Sequence, residues 1–356
     1  MISLSETAHS ILLTQTLNRN AHRRRRRPPR MPPPPHTIPT ITTLLDEILT
    51  TKSLLTLQLL HCSTIKLGIS HNEFIRSKLI SSYASCSQIS DAACIFSLSN
   101  RKSTFLYNTL LRSFANLNQF EQSIALFERM VREKRPIDGN TLPAVLRAVG
   151  GVSVLRIGVR VHVFGIVNGF GSDLGNCNGL VSMYGKCGDL VSAQKVFDGM
   201  SERNLVSWSA MMGAYVKHGE WREVFGLFER MVATGVWPDE KVFTTVLNAC
   251  GHGGMVEEGR EWFGRMRRFG VSPTLEHFTC MVDLLGRAGR IEEAKELMEG
   301  MEMEPDDVLW RAFLGVCKMH GVVDVTVRGR CVSANVSPLI SSLREHATDA
   351  QELRPT

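Results

Sequence analysis

The chain contains no CxxC pair, no HExxH and no GxSxG. These absences remove the spacing signals of a zinc ribbon or dithiol redox pair, a zinc-protease helix and a nucleophile elbow. No apolar run approaches the roughly 18 residues of a membrane span, so no membrane partner is expected. The nine cysteines are scattered singly, an odd set that fits a reducing compartment and small buried apolar side chains. Zinc-dependent deamination needs an HxE and a PCxxC. His71-Asn72-Glu73 spells the first, but the second is missing. Gly150-Gly151 and the stretch 251–254 lack the spacing and the Lys-Ser/Thr of a phosphate loop and read as turns. No catalytic constellation, metal site or cofactor is implied, and the expectation is a protein that is not an enzyme.

Charge is unevenly placed. The net charge is +6, yet residues 1–37 hold seven arginines (Arg19, Arg23 to Arg27, Arg30) and one acid, Glu6. The remainder has 34 basic and 34 acidic residues. Any nucleic-acid binding by the body must therefore come from a local groove, not a bulk positive field. The leader is also proline-rich and cannot pack a core. It fits an organellar transit peptide, leaning towards mitochondria, with the chloroplast as the alternative. The five-arginine block also reads as a nuclear signal or a nucleic-acid-binding tail.

From residue 38 the chain repeats itself with a period of 101. Leu126-Phe127-Glu128-Arg129-Met130-Val131 recurs as Leu227-Phe228-Glu229-Arg230-Met231-Val232, and Tyr83 and Cys86 recur as Tyr184 and Cys187. The period divides into units of 35, 31 and 35 residues: 38–72, 73–103, 104–138, 139–173, 174–204, 205–239, 240–274 and 275–306. Within 104–138, Leu110, Leu111 and Phe114 lie at helical spacing, a polar break follows at 116–118, and Ile124, Phe127, Met130 and Val131 resume it. Each unit reads as two short amphipathic helices that cannot bury their apolar faces alone. Stacked, they form an all-α solenoid. Glycines at unit joints and inter-helix turns (Gly188, Gly219, Gly235, Gly270, Gly289) sit where positive φ is easiest. His61 and His162 share one position of the unit and read as satisfied histidines.

The stretches LVSMYGKCGDLVSAQKVFDGMSERN (180–204), LVSWSAMMGAYVKHGEWREVFGLFERMVATGVWPD (205–239), VLNACGHGGMVEEGREWF (246–263) and EHFTCMVDLLGRAGRIEEAKELMEGMEMEPD (276–306) resemble the plant pentatricopeptide repeat (PPR) family. The likeness is to its PLS subfamily of alternating standard, long and short units. DDVLWRAFLGVCKMHG (306–321) resembles the start of the E-type extension, which fades after about Asp324. Residues 307–324 are thus expected to be a partial, truncated extension. The tail 325–356 is unassigned, and the chain lacks the deaminase-like DYW domain of some relatives.

The resemblance implies a right-handed α-solenoid of PPR units, similar to tetratricopeptide arrays, that binds single-stranded RNA with one base per unit. It implies that the fifth and last residues of each unit read the base edge: Ser77/Ser103, Asn108/Asp138, Asn178/Asn204, Ser209/Asp239 and Thr279/Asp306. In the long units the pairs are Pro143/Asp173 and Thr244/Thr274, and Pro143 offers no donor. Side chains of Asn, Asp, Ser and Thr suit the task because they donate and accept. Read from residues alone, the same side chains near helix starts are equally N-caps, Asp138 and Asp239 among them. The second residue of each unit is implied to flank bases; Phe74, Phe105 and Val206 suit that role, whereas Gly175 and Glu276 do not. The family's pairing rule implies U, any, pyrimidine, G, any, G, starting from the 104 unit. The process implied is organellar C-to-U RNA editing, with a DYW-type deaminase and accessory editing proteins as partners. A helical protein-interaction scaffold, and an RNA processing or stability factor, remain as alternatives.

Overall fold

The structure, a computed structural model, describes residues 37–321. The tail 325–356 and all of the leader except Thr37 lie outside the described residues. Seventeen α-helices and no strand occur among the described residues. They run as hairpins: α1 (Thr37–Thr51) with α2 (Leu54–Lys66), α3 (Glu73–Ser85) with α4 (Ile89–Ser97), α5 (Thr104–Asn116) with α6 (Phe120–Arg132), α7 (Thr141–Val152) with α8 (Leu155–Val167), α9 (Leu174–Cys187) with α10 (Leu190–Asp198), α11 (Leu205–Lys217) with α12 (Trp221–Ala233), α13 (Glu240–Gly253) with α14 (Val256–Arg268), and α15 (Leu275–Arg287) with α16 (Ile291–Glu299). A single helix, α17 (Asp307–Met319), packs on α15 and α16.

The alternation of 35 and 31 residues has a local cause. The outer helices α4, α10 and α16 are nine residues long, whereas α2, α6, α8, α12 and α14 have thirteen. Four residues are about one helical turn, so a short unit is a unit whose outer helix has lost one turn.

Odd-numbered helices touch one another in succession, from α1 against α3 to α15 against α17. The backbone of each even-numbered helix comes close to its own partner and to the odd-numbered helix that follows, whereas successive even-numbered helices meet only through long side chains, as Phe127 meets Phe164 and Arg265 meets Glu229. The odd row is thus the tightly packed, inner layer and the even row the splayed, outer one. Close approach in the inner row is visible at Gly185 of α9, where a Cβ would stand 2.5 Å from the Ala214 Cβ of α11. One cycle later, His320 Nε2 meets the Gly286 carbonyl at 2.8 Å, as His218 Nε2 meets that of Gly185 at 2.6 Å.

Between the rows runs a core that includes Tyr83, Tyr107, Phe197, Phe228, Phe243 and Phe313, all below 2 % exposed. His61 Nδ1 lies 3.0 Å from the Tyr83 hydroxyl and His162 Nδ1 2.8 Å from that of Tyr184. This accounts for the recurring histidine as a polar tie between an outer helix and the next inner one. The cysteines divide. Cys177, Cys250 and Cys317 are buried, whereas Cys62 and Cys94 are exposed, contrary to the uniform burial expected of small apolar side chains.

Turns follow the unit and not the residue type. Gly188, Gly219 and Gly235 have φ of 88°, 77° and 82°, and their counterparts one period earlier are Ser87, Asn118 and Lys134, at 61°, 58° and 51°. The turn imposes the left-handed conformation; glycine adopts it without the penalty of roughly 1–2 kcal/mol that a side chain incurs.

Candidate nucleic-acid interface

Inner helices begin where the previous unit ends. Asn72 Oδ1 accepts from the backbone N–H of Phe74 and Ile75 at 2.9 and 3.1 Å. Asp173, Asn204, Asp239 and Asp306 each accept from the N–H three residues on, at 2.9 to 3.1 Å, and Ser103 does so at 3.3 Å. Such caps satisfy N–H groups that the helix leaves open. The last residue of a unit is therefore a structural cap, whatever else it does. Asp138 departs from this. Helix α7 starts at Thr141 with Asn140 at the cap position, and Asp138 Oδ1 instead accepts from Asn140 N–H at 3.0 Å. The reading of Asp138 as an N-cap is corrected accordingly; Gly139 and Asn140, whose counterparts Glu240 and Lys241 open a helix, lie between it and the helix start.

The fifth residues differ in what they meet. Asn108 Nδ2 donates to Asp138 Oδ1 at 2.8 Å, joining that pair directly. Asn178 Nδ2 reaches Asn204 Oδ1 at 3.4 Å. No direct bond joins the other pairs. Ser77, Ser209 and Thr279 donate to carbonyls of their own helices (Phe74, Leu205 and Leu275), and Ser103 hydrogen-bonds Glu73. Asn108 and Ser77 are only 2 % and 4 % exposed, so these side chains form the floor of crevices between inner helices, not a raised wall. Asp138, Ser209, Asp239 and Thr279 are half-buried and Asn204 and Asp306 exposed. The second residues stand out beside them: Phe74, Phe105 and Val206 are 48 %, 46 % and 58 % exposed, and Val308 continues the series on α17 at 59 %.

Counting on from the fifth residue by helical turns brings up the ninth and thirteenth on the same face. There the inner row carries Arg112 (α5), Arg147 (α7), Lys186 (α9), Lys217 (α11) and Arg287 (α15). Arg287 is paired with Asp283 at 3.0 Å. No carboxylate pairs with the other four among the described residues. Lys186 is held below the ordinary lysine value, by desolvation first and then by Arg147 and Lys217. Lys217 Nζ donates to the Lys186 carbonyl at 2.8 Å. Arg147, Lys186 and Lys217 thus gather without a carboxylate partner, a cationic track that makes the local potential positive within a nearly neutral body. Sequence reading missed this track, although the i, i+4, i+8 spacing from each fifth residue would have found it.

His71, Asn72 and Glu73 are engaged separately, in a contact with Arg76, a helix cap and the bond from Ser103. No three His, Cys, Asp or Glu side chains converge among the described residues.

Stacked hairpins, with an inner row lined by small polar and cationic side chains and an outer row behind it, define an α-solenoid of helical repeats. The chain belongs to the pentatricopeptide repeat family, of the plant type. The PPR repeat signature matches residues 105–134, 176–205, 241–271 and 276–304, and that of the PPR repeat family residues 203–252. A mitochondrial pentatricopeptide repeat-containing protein of Arabidopsis thaliana is 36% identical over 264 residues, 74% of this chain and 42% of the relative. A chloroplastic one from the same plant is 33% identical over 265 residues, 72% of this chain and 35% of the relative. The chain thus spans less than half the length of these curated relatives. The crystal structure of the pentatricopeptide repeat protein PPR10 in complex with an 18-nt psaJ RNA element superposes with a TM-score of 0.63 at 15% identity, over 88% of this chain and 50% of that one.

Proposed function

We propose that this protein is an organellar, sequence-specific single-stranded RNA-binding protein that recognises sites for C-to-U editing, with deamination supplied in trans. The observation that carries the reading is the inner face itself. Exposed apolar second residues, recessed polar fifth residues and unpaired cations occupy successive levels of the same helices. That is the order a stacked base, its edge and its phosphate require. Pairs Ser77/Ser103, Asn108/Asp138, Asn178/Asn204, Ser209/Asp239 and Thr279/Asp306 are assigned to the base edge, and Phe74, Phe105 and Val206 to its faces. The PPR10 complex with RNA is in keeping with this, as are the mitochondrial and chloroplastic relatives with an organellar site of action.

Alternating long and short outer helices support membership of the PLS subfamily, with α17 opening an E-type extension. The outer helices α2 and α8 support protein partners as well. On α8, Leu155, Val159, Val163, Ile166 and Val167 are 36 % to 78 % exposed, and on α2 Leu55 and Leu59 are 70 % and 62 % exposed. Most of the other outer helices turn charged side chains to solvent. An accessory editing protein is the occupant assigned to these apolar stripes; a deaminase of the DYW type would be recruited through the same assembly.

Asn108→Ser tests base reading. It is expected to move preference at one nucleotide from U towards G in a gel-shift series with all four bases at that position. Unchanged preference refutes the assignment. Editing is tested separately, by comparing transcripts across plants with and without the gene. Loss of editing at one or a few cytidines is expected. Altered transcript ends or abundance with editing intact would instead make the protein a processing or stability factor.

A further inference from the structure

The third residue of each unit from 73–103 onwards lies in the first turn of its inner helix, beside the unit before. At most junctions it is buried and at several it is apolar: Ile75, Leu106, Val242 and Leu309. At two junctions it is polar, fully buried and bonded to the fifth residue of the preceding unit. Thr141, 0% exposed, donates through Oγ1 to Asn108 Oδ1 at 2.8 Å and stands 3.0 Å from Asp138 Oδ1. His277, 0% exposed, places Nε2 3.2 Å from Thr244 Oγ1 and 2.8 Å from the Glu240 carbonyl. Its Nδ1 accepts the Thr274 N–H at 3.0 Å and lies 2.8 Å from Thr274 Oγ1, so the ring carries its proton on Nε2. In both cases one side chain of the following unit links the fifth and last residues of the preceding one.

We propose that Thr141 is a positioning residue that fixes the orientation of the Asn108 amide and so sets base discrimination at that junction, with His277 holding Thr244 and Thr274 in the same manner. This rests on the base-reading assignment above. A primary amide offers two donors on one end and an acceptor on the other, and the two ends have nearly the same shape. Which end meets a base decides which base fits. At Asn108 the choice is made in advance. Oδ1 receives the Thr141 hydroxyl and Nδ2 gives one proton to Asp138, which leaves a defined donor for a ligand. At Asn178 the choice is open. Ser207, the corresponding third residue, turns its hydroxyl to Asn204 Oδ1 at 3.1 Å, and Asn178 Oδ1 is buried without a partner. Helix capping does not explain the Thr141 contact. The bond to Asp138 lies within the helix start, whereas the bond to Asn108 spans 33 residues and two units.

Thr141→Val keeps the shape of the side chain and deletes the hydroxyl; Thr141→Ser keeps the hydroxyl. The full chain is titrated with RNAs carrying each base opposite the 104–138 unit and, separately, opposite the 205–239 unit. For Thr141→Val the ratio between best and worst base at the first position is expected to fall about three- to tenfold, the range of one lost hydrogen bond. The ratio at the second position stays unchanged, and Thr141→Ser restores the first. Thr141→Ala serves as a second deletion should the valine not be accommodated. An unaltered ratio at the first position overturns the inference. So does an equal fall at both positions, which marks a purely structural role. If the unsubstituted chain shows no preference at either nucleotide, base reading itself fails and the inference falls with it.

Discussion

Phe228→Ala is expected to destabilise the array by about 3–5 kcal/mol, the cost of emptying a fully buried aromatic site. Phe228 is 0% exposed on α12. Its ring meets Phe243 of α13 at 5.4 Å, Trp262 of α14 at 4.7 Å and Phe269 beyond it at 5.6 Å. The Arg265 guanidinium lies 5.5 Å from the same ring and 4.0 Å from that of Trp262. Removing the ring therefore strips a partner from two helices and a loop together. Stability in a stacked array is carried by each unit and its nearest neighbours, so the damage should stay local. Hydrogen exchange is expected to accelerate in α11 to α14 while α3 to α5 keep their protection. Phe127, one period earlier, is the internal control. It is 6% exposed and has a single aromatic neighbour, Phe164 at 5.7 Å, so Phe127→Ala should cost less. Equal losses from the two substitutions, read by denaturant unfolding, would contradict a cluster-specific origin.

Much of this architecture could be read from the chain alone because the repeat carries it. A 101-residue period and two apolar helices per unit leave few alternatives to a stack of hairpins. Glycines at 188, 219 and 235 marked turns that a serine, an asparagine and a lysine make elsewhere. What escaped the sequence depends on how one unit meets the next. Thr141 and Asn108 are 33 residues apart, and no periodicity within either unit brings their polar atoms together. Asp138 looked like a cap because an aspartate ahead of a helix usually is one; Gly139-Asn140 stay outside the helix where their counterparts Glu240-Lys241 begin it, so the helix start lies past Asp138. Helix α8 hid its outer face for a different reason. Valines and isoleucines occur all around it, so spacing alone could not separate Val161, 5% exposed, from Val163, 53% exposed. The cationic track was concealed by summing charge over residues 38–356, where 34 bases and 34 acids average to nothing while Asp283 neutralises only Arg287.

That track carries the largest expected effect on binding. Replacing Arg147, Lys186 and Lys217 together by glutamine is expected to weaken RNA binding about 100-fold at ~0.1 M salt, since each phosphate contact to a single strand contributes about 0.7 to the salt slope. The slope itself should become shallower by about 2, and the affinities of the two proteins should converge as salt approaches about 1 M. Loss should be uniform over RNA sequences, because phosphates carry no base identity. Asn108→Ser is expected to behave in the opposite way, redistributing preference among bases with the salt slope intact. Lys186 and Lys217 also lie in the last turns of α9 and α11, where a cation favours the helix end by about 0.3–1 kcal/mol. Thermal unfolding of the triple variant separates that contribution from binding. Arg287→Gln completes the comparison: already matched by Asp283 at 3.0 Å, it should leave both affinity and slope almost unchanged. A triple variant that binds with the original slope would mean the three side chains never meet the phosphates. The phosphates would then follow another part of the surface, and the cationic track would have no part in RNA binding.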